Sequence, residues 1–214
     1  MKSQEEAGLR PSSVAKRRAI LAAAEEAFLT ARYDSVTMDE IAETSQVSKQ
    51  TVYTHFGTKD RLFVELVTAM TRAAADEVSA ATVVPDTAAQ VGPTLETILG
   101  HQLAVVLSPR LTRLRRLVIS EVPRFPDLAR AVYEQGPRRA VATIEELLRV
   151  LDSRGWLRVP DATLAAEQLN WLVMGGPTNA AMFLGDGASP TPGEQQAHVR
   201  TAVATFLAAY GPRL

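Results

Sequence analysis

Apolar residues in this chain return every three or four positions, and nowhere does a run of alternating apolar and polar residues replace them. Ile20, Ala23, Ala24, Ala27, Phe28 and Ala31 form one such row, and Leu62, Phe63, Leu66, Val67 and Met70 another. That period belongs to amphipathic helices. β-Branched residues do not cluster as strands require. Alanine, the best helix former, is abundant. The expectation is an all-α fold of about nine helices, near 14–31, 38–45, 49–55, 59–82, 88–107, 109–122, 126–153, 161–184 and 192–210.

The helix starts are marked by local chemistry. Thr37 with Glu40, and Thr191 with Glu194, have capping-box spacing, in which a hydroxyl and a carboxylate satisfy free backbone N–H groups reciprocally. Ser48, Thr58 and Asp161 are candidate N-caps, and Ser108 precedes Pro109, a residue suited to the first helical position. Pro137 is expected to kink the seventh helix. Residues 83–93, with two prolines and a glycine, read as a loop or a broken helix.

Composition removes several classes of function. The 214 residues include no cysteine, which excludes disulfides, thiolate metal sites and a thiol nucleophile. No run of ~18 apolar residues is present to span a membrane. The first ten residues lack the apolar core of a signal peptide, so a cytoplasmic protein is expected. His55, His101 and His198 are far apart, with no metal-binding pair among them. Gly-x-Ser-x-Gly, Walker and Gly-x-Gly-x-x-Gly motifs are all missing. Neither catalysis nor a cofactor is expected. The 23 basic and 24 acidic side chains give a net charge of −1, so nucleic-acid binding would have to rest on local segregation of charge. Two basic runs offer it: Arg10 with Lys16, Arg17 and Arg18, and Arg110, Arg113, Arg115 and Arg116.

The second and third helices are too short to be stable alone and only three residues separate them. This is a helix-turn-helix layout. Met38, Ile41, Ala42, Val47, Val52 and Phe56 can form a small core against Ile20, Ala24 and Phe28. The other face of the third helix then carries Lys49, Gln50, Thr51, Tyr53, Thr54 and His55, donors and acceptors suited to phosphates and base edges. A structural helical hairpin is the alternative reading of the same pattern.

The residues themselves decide in favour of the first reading. The segment from Ile20 to Phe63, and above all Val47-Ser48-x-x-Thr51-x-Tyr53-x-x-Phe56-x-x-Lys59-x-x-Leu62, closely resembles the DNA-binding domain of the TetR family of transcriptional regulators. Arg116 to Glu121, Arg124-Phe125-Pro126 and Gly175-Gly176-Pro177 are similar to its AefR-like subgroup. The resemblance implies a flexible arm over 1–13, a helix-turn-helix domain over 14–60, and a helical ligand-binding and dimerisation domain over 61–214. It implies phosphate contacts from Thr37, Lys49, Tyr53, His55 and Lys59, contacts nearer base edges from Gln50, Thr51 and Thr54, and a place for Ser48 at the head of the same helix. The implied partners are duplex DNA carrying a palindromic operator, a second copy of the chain, and a small-molecule effector. The effector cavity would draw on His101, Arg113, Arg116, Phe125, Tyr133, Asn170, Trp171 and Asn179.

Further expectations follow from the resemblance. Rows on the last two helices (Ala165, Ala166, Leu169, Leu172, Val173, Met174, then Val199, Ala202, Val203, Phe206, Leu207) would meet a partner subunit, with burial inside one subunit as the alternative. Where relatives commonly have glycine, this chain has Arg32 and Gln46, so the turns there are expected to differ or to carry strain of ~1 kcal/mol. The function so implied is a repressor released from its operator by a small molecule. A DNA-bound helical scaffold, or a ligand-binding module without effector-controlled DNA binding, remains the alternative.

Overall fold

The computed structural model describes residues 11–211. Among them every regular element is helical: α1 (Pro11–Thr30), α2 (Met38–Thr44), α3 (Lys49–Phe56), α4 (Lys59–Ala80), α5 (Val91–Val106), α6 (Pro109–Ser120), α7 (Pro126–Tyr133), α8 (Arg139–Ser153), α9 (Ala162–Leu184) and α10 (Pro192–Tyr210). A five-residue π turn, Glu134–Arg138, joins α7 to α8 without a break, so these residues form nine continuous helical runs, as the periodicity predicts. None is long and apolar enough to cross a membrane. The π turn contains Pro137. A proline has no N–H and its ring crowds the carbonyl four residues back, and widening the turn relieves both. Helical structure begins at Pro11, earlier than expected, and Lys16, Arg17 and Arg18 lie within α1, as the expected span from residue 14 has it. Arg10 and most of the expected arm lie outside the described residues.

The chain divides into two compact units. The first runs to Met70 and includes Leu117–Ala129. Its core joins α1, α2, α3 and the first part of α4 through Ile20, Ala24, Phe28, Met38, Ile41, Ala42, Val52, Phe56, Leu62 and Phe63, all buried. Every residue anticipated for this small core is there except Val47, which is only part-buried. The anticipated caps are also in place. Thr37 and Glu40 form a capping box, Ser48 accepts from the Thr51 N–H, and Thr58 accepts from the Arg61 N–H at 3.2 Å.

The α2–α3 turn resolves the question raised by Gln46. This residue takes φ +56°, the left-handed conformation that glycine adopts most easily. Its N–H donates to the Glu43 carbonyl at 3.0 Å, and the Val47 N–H donates to the Ala42 carbonyl at 3.1 Å. These are the paired bonds of a Schellman motif, so the turn is kept and a side chain is forced into it. Arg32 behaves differently. It is extended, at φ −69° and ψ 146°, so no left-handed residue is needed at that position.

The second unit comprises Thr71–Arg116 and Arg130–Leu214. Residues from α5, α8, α9 and α10 form one apolar core that includes Leu95, Leu99, Leu148, Leu169, Val203 and Phe206. Of the rows expected to face a partner subunit, Ala165, Ala166, Leu169, Val173, Met174, Val199, Ala202, Val203 and Phe206 are buried here, inside their own chain. The expectation is corrected for these residues. Helix periodicity reports an apolar face but not which helix covers it. Residues 83–93 are only partly loop: the chain is helical from Ala88, and Pro93 sits in the first turn of α5, where a missing N–H is harmless.

Pro177 lies inside α9 without interrupting it. It leaves the carbonyl of Val173 without an intrahelical donor. The Nε2 of His198 on α10 lies 2.8 Å from that oxygen, and since a carbonyl only accepts, Nε2 carries the hydrogen. His198 therefore satisfies the carbonyl that Pro177 leaves free within a continuous helix.

The strain at Gln46 gives a direct test of this turn. Gln46→Gly should raise the free energy of unfolding in denaturant titrations by about 0.5–1 kcal/mol, since glycine adopts φ +56° without a Cβ clash. An unchanged or lower stability would contradict a left-handed Gln46.

Candidate nucleic-acid interface

The geometry of α3 follows from its two faces. Val52 and Phe56 are buried, and the opposite side leaves Lys49, Gln50, Tyr53 and Thr54 exposed, with Thr51 and His55 part-buried. Tyr53 is 47% exposed, too open for a core aromatic. Ser48 ends its extended approach with its hydroxyl on the Thr51 N–H and 2.8 Å from the Thr51 hydroxyl. The Thr54 hydroxyl donates to the Gln50 carbonyl at 2.6 Å. The threonines are thus partly engaged within the helix, whereas the Gln50 amide and the Tyr53 hydroxyl stand at its surface.

Cations at this helix are paired with nearby acids. Lys49 pairs with Asp39 of α2 at 2.5 Å, with both side chains more than half exposed. Such a pair contributes only ~0–1 kcal/mol, so a phosphate can take the lysine over. Arg17 of α1 lies over the Phe56 ring, 5.2 Å from its centroid, and pairs with Glu65. The His55 pKa is lowered by burial first, then by the charges of Arg17 and Lys16. Two cations of the first basic run are therefore felt at the C-terminal end of α3. Thr37 uses its N–H on the Glu40 carboxylate at 2.9 Å and accepts from the Glu40 N–H at 3.2 Å, leaving its hydroxyl hydrogen available.

Lys59 is held more tightly than its sequence position suggests. It is part-buried, and its ammonium donates to the carbonyls of Tyr33 at 3.0 Å and Val36 at 2.9 Å. It also lies 4.4 Å from the centre of the Tyr33 ring. It anchors the segment leading into α2. Tyr33 is fully buried, donates its hydroxyl to Asp60, and is flanked on another side by Arg124, 4.6 Å from the ring centre. Arg124 in turn pairs with Asp34 at 3.1 Å and Asp60 at 3.5 Å. Sequence reasoning passed over this network because its members are spread from residue 33 to residue 124.

The residues expected to line an effector cavity fall in both units. Phe125 belongs to the first unit, where it packs on Tyr33 and Phe63, with ring centres 5.2 Å away in each case. Arg113 and Arg116 both pair with Asp186, at 2.6 and 2.5 Å, and Arg116 also donates to the Ala181 carbonyl. Those bonds lower the pKa of the Asp186 carboxyl, Arg116 being the larger cause. Asn170 accepts from the buried Gln102 at 3.3 Å. His101 is part-buried, while Tyr133, Trp171 and Asn179 are exposed. A groove of about 370 Å³ in the second unit is lined by residues that include Thr82, Val84, Arg139, Ala142, Leu147 and Val150.

A capped pair of short helices, one of them presenting donors outward on a packed three-helix base, defines a helix-turn-helix DNA-binding protein. Known proteins give the family. Residues 20–66 match the model of bacterial regulatory proteins of the tetR family, and residues 93–212 match that of the AefR-like transcriptional repressor C-terminal domain. A structure from Mesorhizobium loti MAFF303099, described as a TetR-family transcriptional regulator, is 34% identical. Its alignment covers 94% of this chain and all of that one, with a TM-score of 0.85. The flavonoid-responsive regulator FrrA is 28% identical over 93% of this chain and 98% of its own, with a TM-score of 0.73. A TetR family regulator from Pseudomonas syringae pv. tomato DC3000 is 26% identical over 92% and 97%, with a TM-score of 0.72. No curated protein sequence matches the chain. The chain belongs to the TetR family of transcriptional regulators, which bind DNA through this helix-turn-helix.

The lowered His55 pKa has a signed consequence. The unfolded chain takes up the proton at the ordinary histidine pKa, before the folded chain does, so stability falls as pH drops through and below that value. Measured by denaturant titration from about pH 7.5 to about pH 5, His55→Gln should lose less stability than the parent. An equal loss in both would mean His55 is not held neutral by its surroundings.

Proposed function

We propose that the chain is a homodimeric repressor that binds a palindromic operator and is released from it by a small-molecule effector. The observation that carries the DNA-binding half is the outward face of α3, with Lys49, Gln50, Tyr53 and Thr54 exposed above a buried Val52 and Phe56. The repressor and effector halves draw support from the likeness to the AefR-like repressor domain and to a regulator named as flavonoid-responsive. In this reading Thr37, Ser48, Lys49, Tyr53 and His55 position the helix on phosphates. Gln50, Thr51 and Thr54 approach base edges. Lys59 acts mainly by holding the turn before α2, through its bonds to the Tyr33 and Val36 carbonyls.

The roles separate by experiment. Binding to a duplex selected from genomic fragments should weaken steeply between ~50 and ~200 mM salt, because phosphate contacts release counterions. Tyr53→Phe should weaken cognate and non-cognate duplexes by similar factors, since phosphate contacts carry no sequence information. Gln50→Ala should relax preference at one base pair per half-site, by about 1–3 kcal/mol for a two-bond contact. A changed sequence preference in Tyr53→Phe with none in Gln50→Ala would reverse the assignment.

The interface between subunits is proposed for the side of α9 that its own core does not cover. Leu164, Trp171 and Leu172 are exposed there, Trp171 to 64%. Two-fold pairing of such a face suits the symmetry of a palindrome. Leu172→Asp and Trp171→Asp should each weaken self-association by about 100-fold or more in sedimentation equilibrium, because an unpaired charge in a dry interface costs several kcal/mol. A dimer of unchanged affinity in both would place the interface elsewhere.

A further inference from the structure

The first unit is completed by a segment from outside its helix-turn-helix. Leu117–Ala129 belongs to it, although residues 71–116, which belong to the second, lie between in the chain. At the turn between α6 and α7 the N–H groups of Arg124 and Phe125 both donate to the Glu121 carbonyl, at 3.0 and 2.8 Å. That fixes two neighbouring side chains with different tasks. Phe125 anchors the segment, its ring packed on Tyr33 and Phe63. Arg124 reaches two carboxylates. Its Nη1 donates to Asp34 at 3.1 Å, its Nη2 lies 3.5 Å from Asp60, and its Cζ stands 4.6 Å from the centre of the Tyr33 ring. Asp34 lies in the short link between α1 and α2, and Asp60 in the first turn of α4. One guanidinium therefore ties that link to α4.

We infer that Arg124 is a positioning residue for DNA recognition: it sets how α3 is presented, and through that the preference for one sequence over another. The inference rests on the DNA-binding reading above. None of the partners of Arg124 lies on α3, and α2 and α3 are too short to hold an orientation alone. α2 opens at Thr37, so its direction depends on the link that delivers Thr37. That link is held in two ways. Lys59 binds the backbone carbonyls of Tyr33 and Val36, and Arg124 binds the side chain of Asp34 between them. The Asp34 side chain is 85% exposed, and a pair so open adds little to stability. What it supplies is direction, because a planar guanidinium holds its acceptors at fixed angles. A hydrogen bond to a base edge tolerates less displacement than the attraction of a cation for a phosphate.

The test is fluorescence anisotropy of the full chain on a duplex selected from genomic fragments and on a scrambled one, in the parent, Arg124→Met, Arg124→Lys and Asp34→Asn. The DNA-competent fraction of each protein is fixed first by stoichiometric titration. Arg124→Met should bind the selected duplex about tenfold or more weakly, the worth of a lost base contact, and the scrambled one less than about threefold more weakly. Its slope of log affinity against log salt on the scrambled duplex should match the parent's. Arg124→Lys keeps the charge without the fork and should retain part of the preference. Asp34→Asn leaves the Asp60 contact and should show a smaller loss of the same kind. An equal loss on both duplexes, with a salt slope smaller by about one, would make Arg124 a phosphate contact and overturn the inference. A lower competent fraction with full sequence preference would also overturn it, since Arg124 would then serve folding alone. Where Arg124→Met does not fold, full preference in both Arg124→Lys and Asp34→Asn has the same force. A parent with no preference for any selected duplex removes the DNA-binding reading itself, whereas a preference that Arg124→Met keeps in full removes only this inference.

Discussion

The first unit depends on the burial of one phenol. Tyr33 has no exposed surface, stacks on Phe28 with ring centres 5.6 Å apart, and meets Phe63 and Phe125 edge-on. Its hydroxyl would be costly to bury unpaired, and Asp60 accepts from it. Lys59 and Arg124 lie against its ring, and Lys59 also binds the carbonyls of Tyr33 and Val36. A single side chain thereby ties α1, the start of α4 and residues 117–129 to the segment that leads into Thr37. Thr37 opens α2, and the strained turn at Gln46 sets where α3 begins. The presentation of α3 is a consequence of these restraints, since eight residues would not hold a helix alone.

The same unit shows how a chain of net charge −1 carries a candidate surface for a polyanion. Four of its acids are matched locally: Asp39 with Lys49, Glu65 with Arg17, and Asp34 and Asp60 with Arg124. What remains outward on α3 is a row of hydrogen-bonding groups, with the positive charge of Lys16 and Arg17 felt at His55. Affinity for phosphate then follows from where charge stands rather than from its sum.

The helices, their caps and the small core of the first unit were legible because each depends on neighbours a few residues away. Capping boxes at Thr37 and Thr191 and the row from Ile20 to Phe28 are of this kind. What was not legible depends on distant partners. The rows on α9 and α10 announce an apolar face but not that the chain's own helices cover it, so Ala166 and Phe206 were expected at a subunit boundary. Nothing near Lys59 in sequence signals the carbonyls that hold its ammonium. Asp186 sits some seventy residues from the two arginines it pairs, and His198 faces the carbonyl that Pro177 frees only once α9 and α10 pack. Gln46 lies between these cases: its strain was readable from residue type, its retained left-handed geometry only from the fold.

The central claim is that α3 of each subunit enters a major groove. Methylation protection on a selected operator tests it, because dimethyl sulfate marks guanine N7, which lies in that groove. Protection should fall in two major-groove segments related by a two-fold axis, one DNA turn (~34 Å) or a multiple apart. Protection confined to the minor groove, or to one unrepeated segment, would contradict the account.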